Sequence, residues 1–344
     1  MEESAASMNA WRLASHGGPD QLNLARMPAP SPGANQILVR VACAGLNYSD
    51  VLMVRGAYQI RPPLPFTPGQ EVAGFVAAVG PGCALSVSER VVSKVLWGGF
   101  APLALADAAF AIRIPTDLDF DDALVLPVVA ITAWIALHHR ARLLPGETAL
   151  IHAGAGALGL AAIRTAVAAG ARVVATVGSE QKAAACVAAG ASEVVRYGEG
   201  TAWEDAVMQV SRGRGVDVVL DSVGGAVTDG SLRCLAREGR LLIAGFSSGE
   251  IASIRGNRLL LRNVAALGVY WSHEADAELI ARAVEAILDS RQQGRLVLGC
   301  GARYPYETLP TALDDLAGRR TIGKSVLRVA PGSPGSRLDE PAAP

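Results

Sequence analysis

Three glycines carry the densest chemical signal in this chain. Residues Thr148 to Gly159 read Thr-Ala-Leu-Ile-His-Ala-Gly-Ala-Gly-Ala-Leu-Gly. A short apolar run, 148–152, delivers the chain into Gly154-x-Gly156-x-x-Gly159. An alanine-rich segment of helical character follows over 157–169, and a second β-rich run spans 171–177. Strand, glycine turn, helix and strand form the context in which this spacing cradles a dinucleotide. Gly154 is expected to allow the tight turn, Gly156 to admit a pyrophosphate to the backbone, and Gly159 to let the helix pack close to the strand. The helix N-terminus would then present free N–H groups and a positive dipole end to the phosphates.

The end of the second strand points to the kind of dinucleotide. A site for NAD places Asp or Glu there to accept from the adenosine ribose. This chain reads Thr176-Val177-Gly178-Ser179-Glu180-Gln181-Lys182. Ser179 can donate to a 2′-phosphate, and Lys182 supplies a point charge one helical turn on. Lysine is scarce: Lys94, Lys182 and Lys324 are three among 31 basic residues, so arginine is the ordinary surface cation. NADP(H) is the expected coenzyme. Glu180 leaves the alternative open, since a small rotation would bring its carboxylate to the ribose instead.

Those residues need elements to position them. From about 148 to 270, strand-like runs at 148–152, 171–177, 192–196, 216–221, 239–245 and 264–270 alternate with segments long enough for crossover helices. That is the pattern of an α/β doubly wound parallel (Rossmann) sheet. The N-terminal part differs: short β-rich runs at 36–44, 71–79, 90–95 and 110–114, broken by Pro, Gly and Asn, predict an antiparallel barrel-like domain. A helix is expected over 275–291, and the apolar run 323–327 reads as a strand returning to the first domain. The expected domains are therefore 8–130 completed by 272–329, and 131–271, with the Pro-, Gly- and Ser-rich tail 330–344 disordered.

Composition narrows the partners. With 344 residues, 51% hydrophobic and 18% charged, the chain can build two globular domains. A formal net charge of −1 offers no electrostatic case for nucleic acid or an anionic membrane. The first residues carry acids and no basic stretch, unlike a signal peptide. The apolar run 123–137 contains Pro127 and falls short of the roughly 20 residues of a membrane span, so a buried helix is expected. Five scattered cysteines without a Cys-x-x-Cys pair fit a reducing cytoplasm and argue against a thiolate cage.

The order of these pieces resembles the medium-chain dehydrogenase/reductase superfamily, and more closely its zinc-free NADPH:quinone oxidoreductase (zeta-crystallin-like) branch. The resemblance covers roughly residues 8 to 329. It rests on Gly45-Leu46-Asn47-Tyr48-Ser49-Asp50, Pro68-Gly69-Gln70-Glu71-Val72-Ala73-Gly74, His152 to Gly159, Asp221-Ser222-Val223-Gly224-Gly225 and Gly323-Lys324. It implies a GroES-like β-barrel beside the Rossmann domain and a homodimer. Metal-dependent members carry Cys in the segment aligned with Asn47, and His within a Gly-His-Glu run aligned with Gly69-Gln70-Glu71. Asn47 and Gln70 are poor partners for a zinc that needs thiolate and imidazole. Cys43 is offset by four residues, and the closely spaced four-cysteine lobe is missing. No zinc is expected.

Losing the metal constrains the chemistry. Reducing a simple ketone makes an alkoxide, which needs a Lewis acid or a proton donor. Quinones, α,β-unsaturated carbonyls and enoyl thioesters disperse the charge themselves, leaving the protein chiefly to align nicotinamide and acceptor. The expected function is NADPH-dependent reduction of a quinone or α,β-unsaturated carbonyl. An enoyl-thioester reductase of a polyketide or fatty-acid pathway and a non-catalytic NADPH-binding protein are the alternatives.

By resemblance, Gly154, Gly156 and the turn Ala157-Leu158-Gly159 hold the pyrophosphate, while Gly178, Ser179, Lys182 and Tyr197 surround the 2′-phosphate. Tyr197 could instead be a plain strand-end aromatic. Ser222, Phe246 and Ser247 are expected at the carboxyl edge of the sheet, unless they are ordinary turns. Tyr48 and Lys324 join the cofactor set, as does Thr132, from the start of its helix. Tyr270 and Trp271 would line the pocket or form a dimer edge. Asn47 would bond the nicotinamide ribose or the substrate oxygen, and Asp50 is either a site carboxyl or a helix-start acid. Tyr58, in a Pro-rich loop, is the best proton-donor candidate. His152 reads as a satisfied turn histidine.

Overall fold

A computed structural model describes residues 7–197 and 202–329. The chain divides into two units, one ending at Pro127 and resumed from Gly299, the other spanning Val128–Leu298. The expected return to the first unit at 272 is therefore displaced to 299. The helix His273–Gln292 buries Ile280, Ala283 and Ile287 along one face and packs on Ile131–Trp134, which keeps it with the second unit. The tail 330–344, expected to be disordered, lies outside the described residues.

In the first unit, Gln36–Gly45 is the hub. It pairs antiparallel with Glu71–Val79, with Leu103–Asp107 and with the returning strand Val326–Arg328. The sheet continues through Arg90–Lys94 to Ala111–Arg113 on one side and Arg303–Pro305 on the other. A hairpin, Ser7–Leu13 with Leu22–Pro28, stands outside this ladder. Ile37, Val39, Val41, Val72, Phe100 and Leu327 fill the core between these pieces. The register sets Gly45 opposite both Glu71 and Val326. That places Glu71 and the residues just before Val326 on either side of one glycine.

The second unit is a six-stranded, wholly parallel sheet. Its order is Glu193–Arg196, Arg172–Val177, Thr148–Ile151, Val216–Asp221, Leu235–Ile243, Ala265–Gly268. In chain order that is 3-2-1-4-5-6, the doubly wound arrangement whose ligand crevice lies at the carboxyl ends, where the order reverses beside the first strand. The strands are nearly continuous apolar runs because helices cover both faces. Thr148–Ile151 is buried at every residue.

The helical stretch Phe120–Arg140 is 21 residues long, more than the 15 read from the apolar run, with π-type turns over 126–130 and 135–140. Length and composition alone would let it cross a bilayer. In this fold 72% of its apolar window is buried in the protein, which fits a core helix.

Candidate cofactor and active site

At the carboxyl end of Thr148–Ile151 the chain turns into the helix Ala157–Ala168. The residue in the left-handed region is Ala153, at φ +49°, and Gly154 is not. The work of Gly154 is to leave space: a Cβ there would lie 2.9 Å from Ala175 Cβ and 3.0 Å from Cys186 Sγ. A Cβ on Gly159 would fall on the carbonyl oxygens of Ala153 and Gly154, so only glycine lets the helix sit this close to the turn. Gly156 caps the helix without a side chain, and the first intrahelical bond is Leu160 N–H to Gly156 O at 2.9 Å. The N–H groups of Ala157, Leu158 and Gly159 therefore precede any intrahelical acceptor and face outward with the dipole, a ready anion site.

Beside it, Arg172–Val177 ends at Gly178, where a missing Cβ leaves open space. Ser179 caps the helix Glu180–Ala188, its Oγ accepting the Lys182 N–H at 3.4 Å, which leaves the hydroxyl hydrogen free to donate elsewhere. Glu180 is held by an ion pair to Arg196, Oε2 to Nη1 at 3.0 Å, with its side chain 80% exposed. Parallel pairing sets Arg196 beside Val177, one residue before Gly178. Arg196 was missed from the sequence. Its one signal there is a cation at the carboxyl end of the strand next to the serine.

Tyr197 departs from expectation. Its hydroxyl turns inward, 2.8 Å from His152 Nδ1 and accepting from Thr176 Oγ1 at 2.7 Å, and its ring stacks on His152. Ser231 gives its proton to Val227 O at 2.7 Å, so it accepts from His152 Nε2–H at 2.8 Å. Nδ1 is then the acceptor, and the Tyr197 proton goes to it. Burial lowers the His152 pKa to about 4 and raises that of Tyr197. The imidazole is thus neutral and satisfied, and Tyr197 has no hydroxyl proton left for a phosphate.

Ser222 follows Val216–Asp221 directly, and its carbonyl accepts the Ser247 N–H at 3.0 Å, tying together the loops of two neighbouring strands. Phe246 and Ser247 are exposed at that edge, and Tyr270, beyond the edge strand, is 86% exposed. Thr132 is the second residue of the α-helical segment Ile131–Trp134. It sits within the stretch 120–140, its hydroxyl donating to Val128 O at 2.7 Å and accepting from Trp271 Nε1 at 3.0 Å. The Thr132 hydroxyl is thereby engaged within the unit.

In the first unit the helix Tyr48–Val54 begins after Asn47, whose extended backbone N–H donates to Asp50 Oδ2 at 2.8 Å. This is half of a capping box. Asp50 is fully buried, and burial is the main cause of a pKa raised to about 7. The Asn47 N–H, Lys324 and the Gly69 N–H oppose the rise, and Glu71 adds to it. Ser49 donates to Gln70 Oε1. Lys324, 1% exposed, forms an ion pair with the equally buried Glu71 and donates to Asn47 Oδ1 at 2.7 Å. Glu71 and Asn47 thereby take two of its three N–H groups, which disfavours the cofactor contact expected of it. Gly45 makes the arrangement possible, because a Cβ there would meet the Glu71 carboxylate and lie 2.8 Å from Lys324 Cε. Tyr48 is exposed, while Tyr58 is half-buried with its ring against the core. Among the described residues the Tyr58 hydroxyl makes no hydrogen bond.

A zinc ion does not fit these donors. Asn47 and Gln70 offer neutral amides, and a fixed ammonium stands between Asn47 and Glu71, where a second cation would be repelled. Cys43 lies opposite Arg328 in the ladder, and burial raises its thiol pKa, so the thiolate a metal needs is disfavoured.

Residues 33–116 match the alcohol dehydrogenase GroES-like domain family, and residues 157–288 match the zinc-binding dehydrogenase family. The mouse quinone oxidoreductase-like protein 2 is 39% identical over 304 residues, covering 87% of each chain. A mycobacterial protein solved in complex with NADPH is 33% identical with a TM-score of 0.85, covering 93% of this chain and 99% of that one. The CurK enoyl reductase is 28% identical with a TM-score of 0.81, covering 93% and 99%. The chain belongs to the medium-chain dehydrogenase/reductase family, within its quinone oxidoreductase branch.

Proposed function

We propose that this protein is an NADPH-dependent reductase of quinones or α,β-unsaturated carbonyls that works without a metal. The observation that carries the reading is the buried Lys324 ammonium, held between Glu71 and Asn47 among donors unsuited to zinc. With no Lewis acid, a substrate must disperse its own negative charge, and conjugated acceptors do so.

The cradle in the second unit fits NADP(H). The helix N-terminus at 157–159 would bind the pyrophosphate, and Ser179, Lys182 and Arg196 the 2′-phosphate, with Gly178 leaving room. Ser222, Phe246 and Ser247 stand along the same sheet edge, where ligands of such folds bind. When bound, NADPH supplies the hydride. Asn47 orients the acceptor or the nicotinamide ribose. Tyr58, or Asp50 with a pKa near neutrality, can hold the proton the product needs. The exposed edge strand Ala265–Gly268 and Tyr270 suit a homodimer contact.

The test is NADPH oxidation with 1,2- and 1,4-quinones, alkenals and crotonyl thioester, in chelator. Turnover of a quinone or enone is expected, with negligible oxidation of simple alcohols. Robust secondary-alcohol oxidation would defeat the reading. Likeness to the CurK enoyl reductase favours a second reading, an enoyl-thioester reductase, which a preference for crotonyl thioester would select. Tight NADPH binding without turnover of any acceptor would leave a binding protein.

A further inference from the structure

We infer that Lys324 is a positioning residue that fixes Asn47 as a hydrogen-bond donor, so that the NH2 end of the Asn47 carboxamide recognises the carbonyl oxygen of the acceptor. This rests on the reading above and deepens it.

A carboxamide has a donor end and an acceptor end of nearly the same shape, and an unconstrained asparagine can offer either. Lys324 removes the choice. An ammonium carries donors only, so the Asn47 atom 2.7 Å from it must be Oδ1. The amide is planar, and Nδ2 therefore projects away from the lysine. Among the described residues Nδ2 donates to none. Asn47 is half-buried, whereas Lys324 and Glu71 are enclosed.

The ammonium is itself immobilised. Glu71 holds it from the neighbouring strand, and Gly45, lacking a side chain, leaves room for both. The backbone on either side is tied as well: the Lys324 carbonyl accepts from Gly301 N–H at 2.7 Å, and Leu46 N–H donates to Ser325 O at 2.9 Å. On the other flank Asp50 grips the Asn47 N–H. Both the backbone and the oxygen of Asn47 are thus clamped, and the NH2 group is its one unspent function. Such a preorganised donor suits an oxygen that gains negative charge during reduction, as an enolate or hydroquinone oxygen does. It does not suit a hydroxyl that must donate.

A double-mutant cycle tests this. Lys324→Met is combined with Glu71→Gln so that no lone carboxylate is left buried, and the pair is placed in the parent and in Asn47→Ala. Single-turnover NADPH oxidation is followed with an enone and with a 1,4-quinone, alongside the NADPH Kd and the melting temperature. Loss or about 1 Å misplacement of such a donor slows reaction on the order of a hundredfold. The paired change is expected to slow the enone reaction about 10- to 100-fold and the quinone reaction less, with the NADPH Kd unchanged. In Asn47→Ala it should add less than about twofold. Equal slowing in both backgrounds, or none in the parent background, would overturn the inference.

A substrate-free readout separates it from the functional reading. If the parent turns over no acceptor, that reading fails, and the Asn47 side-chain NH2 resonances of 15N-asparagine-labelled protein still report the clamp. They should shift when Lys324 and Glu71 are replaced, and resonances that stay in place would refute the clamp itself.

Discussion

Replacing Arg196 with glutamine removes the cation that restrains Glu180 and shows what the pair does. The two side chains meet at 3.0 Å with Glu180 80% exposed, so their attraction acts largely through water. Exposed pairs of this kind contribute about 0–1 kcal/mol to stability, and folding should barely change. Coenzyme affinity should change more. A 2′-phosphate carries roughly −1.5 to −2 charges. At an approach of about 6 Å and a dielectric of about 80, one protein charge interacts with it by roughly 1–1.4 kcal/mol. Arg196→Gln loses one such attraction, about 1–1.4 kcal/mol, and leaves Glu180 without its counter-charge. NADPH should bind some 5- to 10-fold more weakly, while NADH, without that phosphate, should bind as well as before or better. Fluorescence titration of both coenzymes at low ionic strength measures this, and added salt should compress the difference. If NADPH and NADH weaken equally, or neither changes, then Arg196 does not read the 2′-phosphate and Glu180 needs no restraint.

Three further outcomes are expected. Purified protein should contain no stoichiometric zinc by elemental analysis and should keep its activity in chelator; a tightly bound zinc whose removal abolishes activity would contradict the donor chemistry around Asn47 and Gln70. Asp50 should make stability pH-dependent. Its folded pKa, about 7 against an ordinary 3.8, means the folded state holds the proton between about pH 4 and 7 while the unfolded state releases it. Stability should therefore fall as pH rises through that window, by at most roughly 4 kcal/mol. In Asp50→Asn, whose amide oxygen can still accept the Asn47 N–H, the loss should shrink, as thermal melts at pH 5 and pH 8 would register. Finally, Tyr58→Phe should slow enone turnover only a fewfold if solvent delivers the proton, and on the order of a hundredfold if this hydroxyl does; a solvent isotope effect that vanishes in the variant would assign the proton to Tyr58.

The parallel sheet, its glycine turn and the serine–lysine sequence after the second strand were legible in the chain itself. These are local features: apolar runs, spacing over six residues, and a helix cap within one turn. The unsuitability of Asn47 and Gln70 as zinc donors was legible for the same reason, since it depends on residue type alone. Leu103–Asp107 was not legible, because Leu-Ala-Leu-Ala-Asp has no β preference and becomes a strand only by pairing with Gln36–Arg40. The helix His273–Gln292 was read correctly as a helix but assigned to the wrong unit, since its partner, Ile131–Trp134, lies about 140 residues away. Side-chain direction was decided by tertiary structure throughout. Tyr197 turns inward because Thr176, from the neighbouring strand, and His152, from the turn after Thr148–Ile151, offer it partners. Arg196 reaches Glu180 because parallel register places it beside Val177. Lys324 meets Glu71 and Asn47 because two strands close on Gly45 from opposite sides. Residue types and short spacings are written along one chain, but the partner of a buried charge is set by which distant strands come to lie side by side.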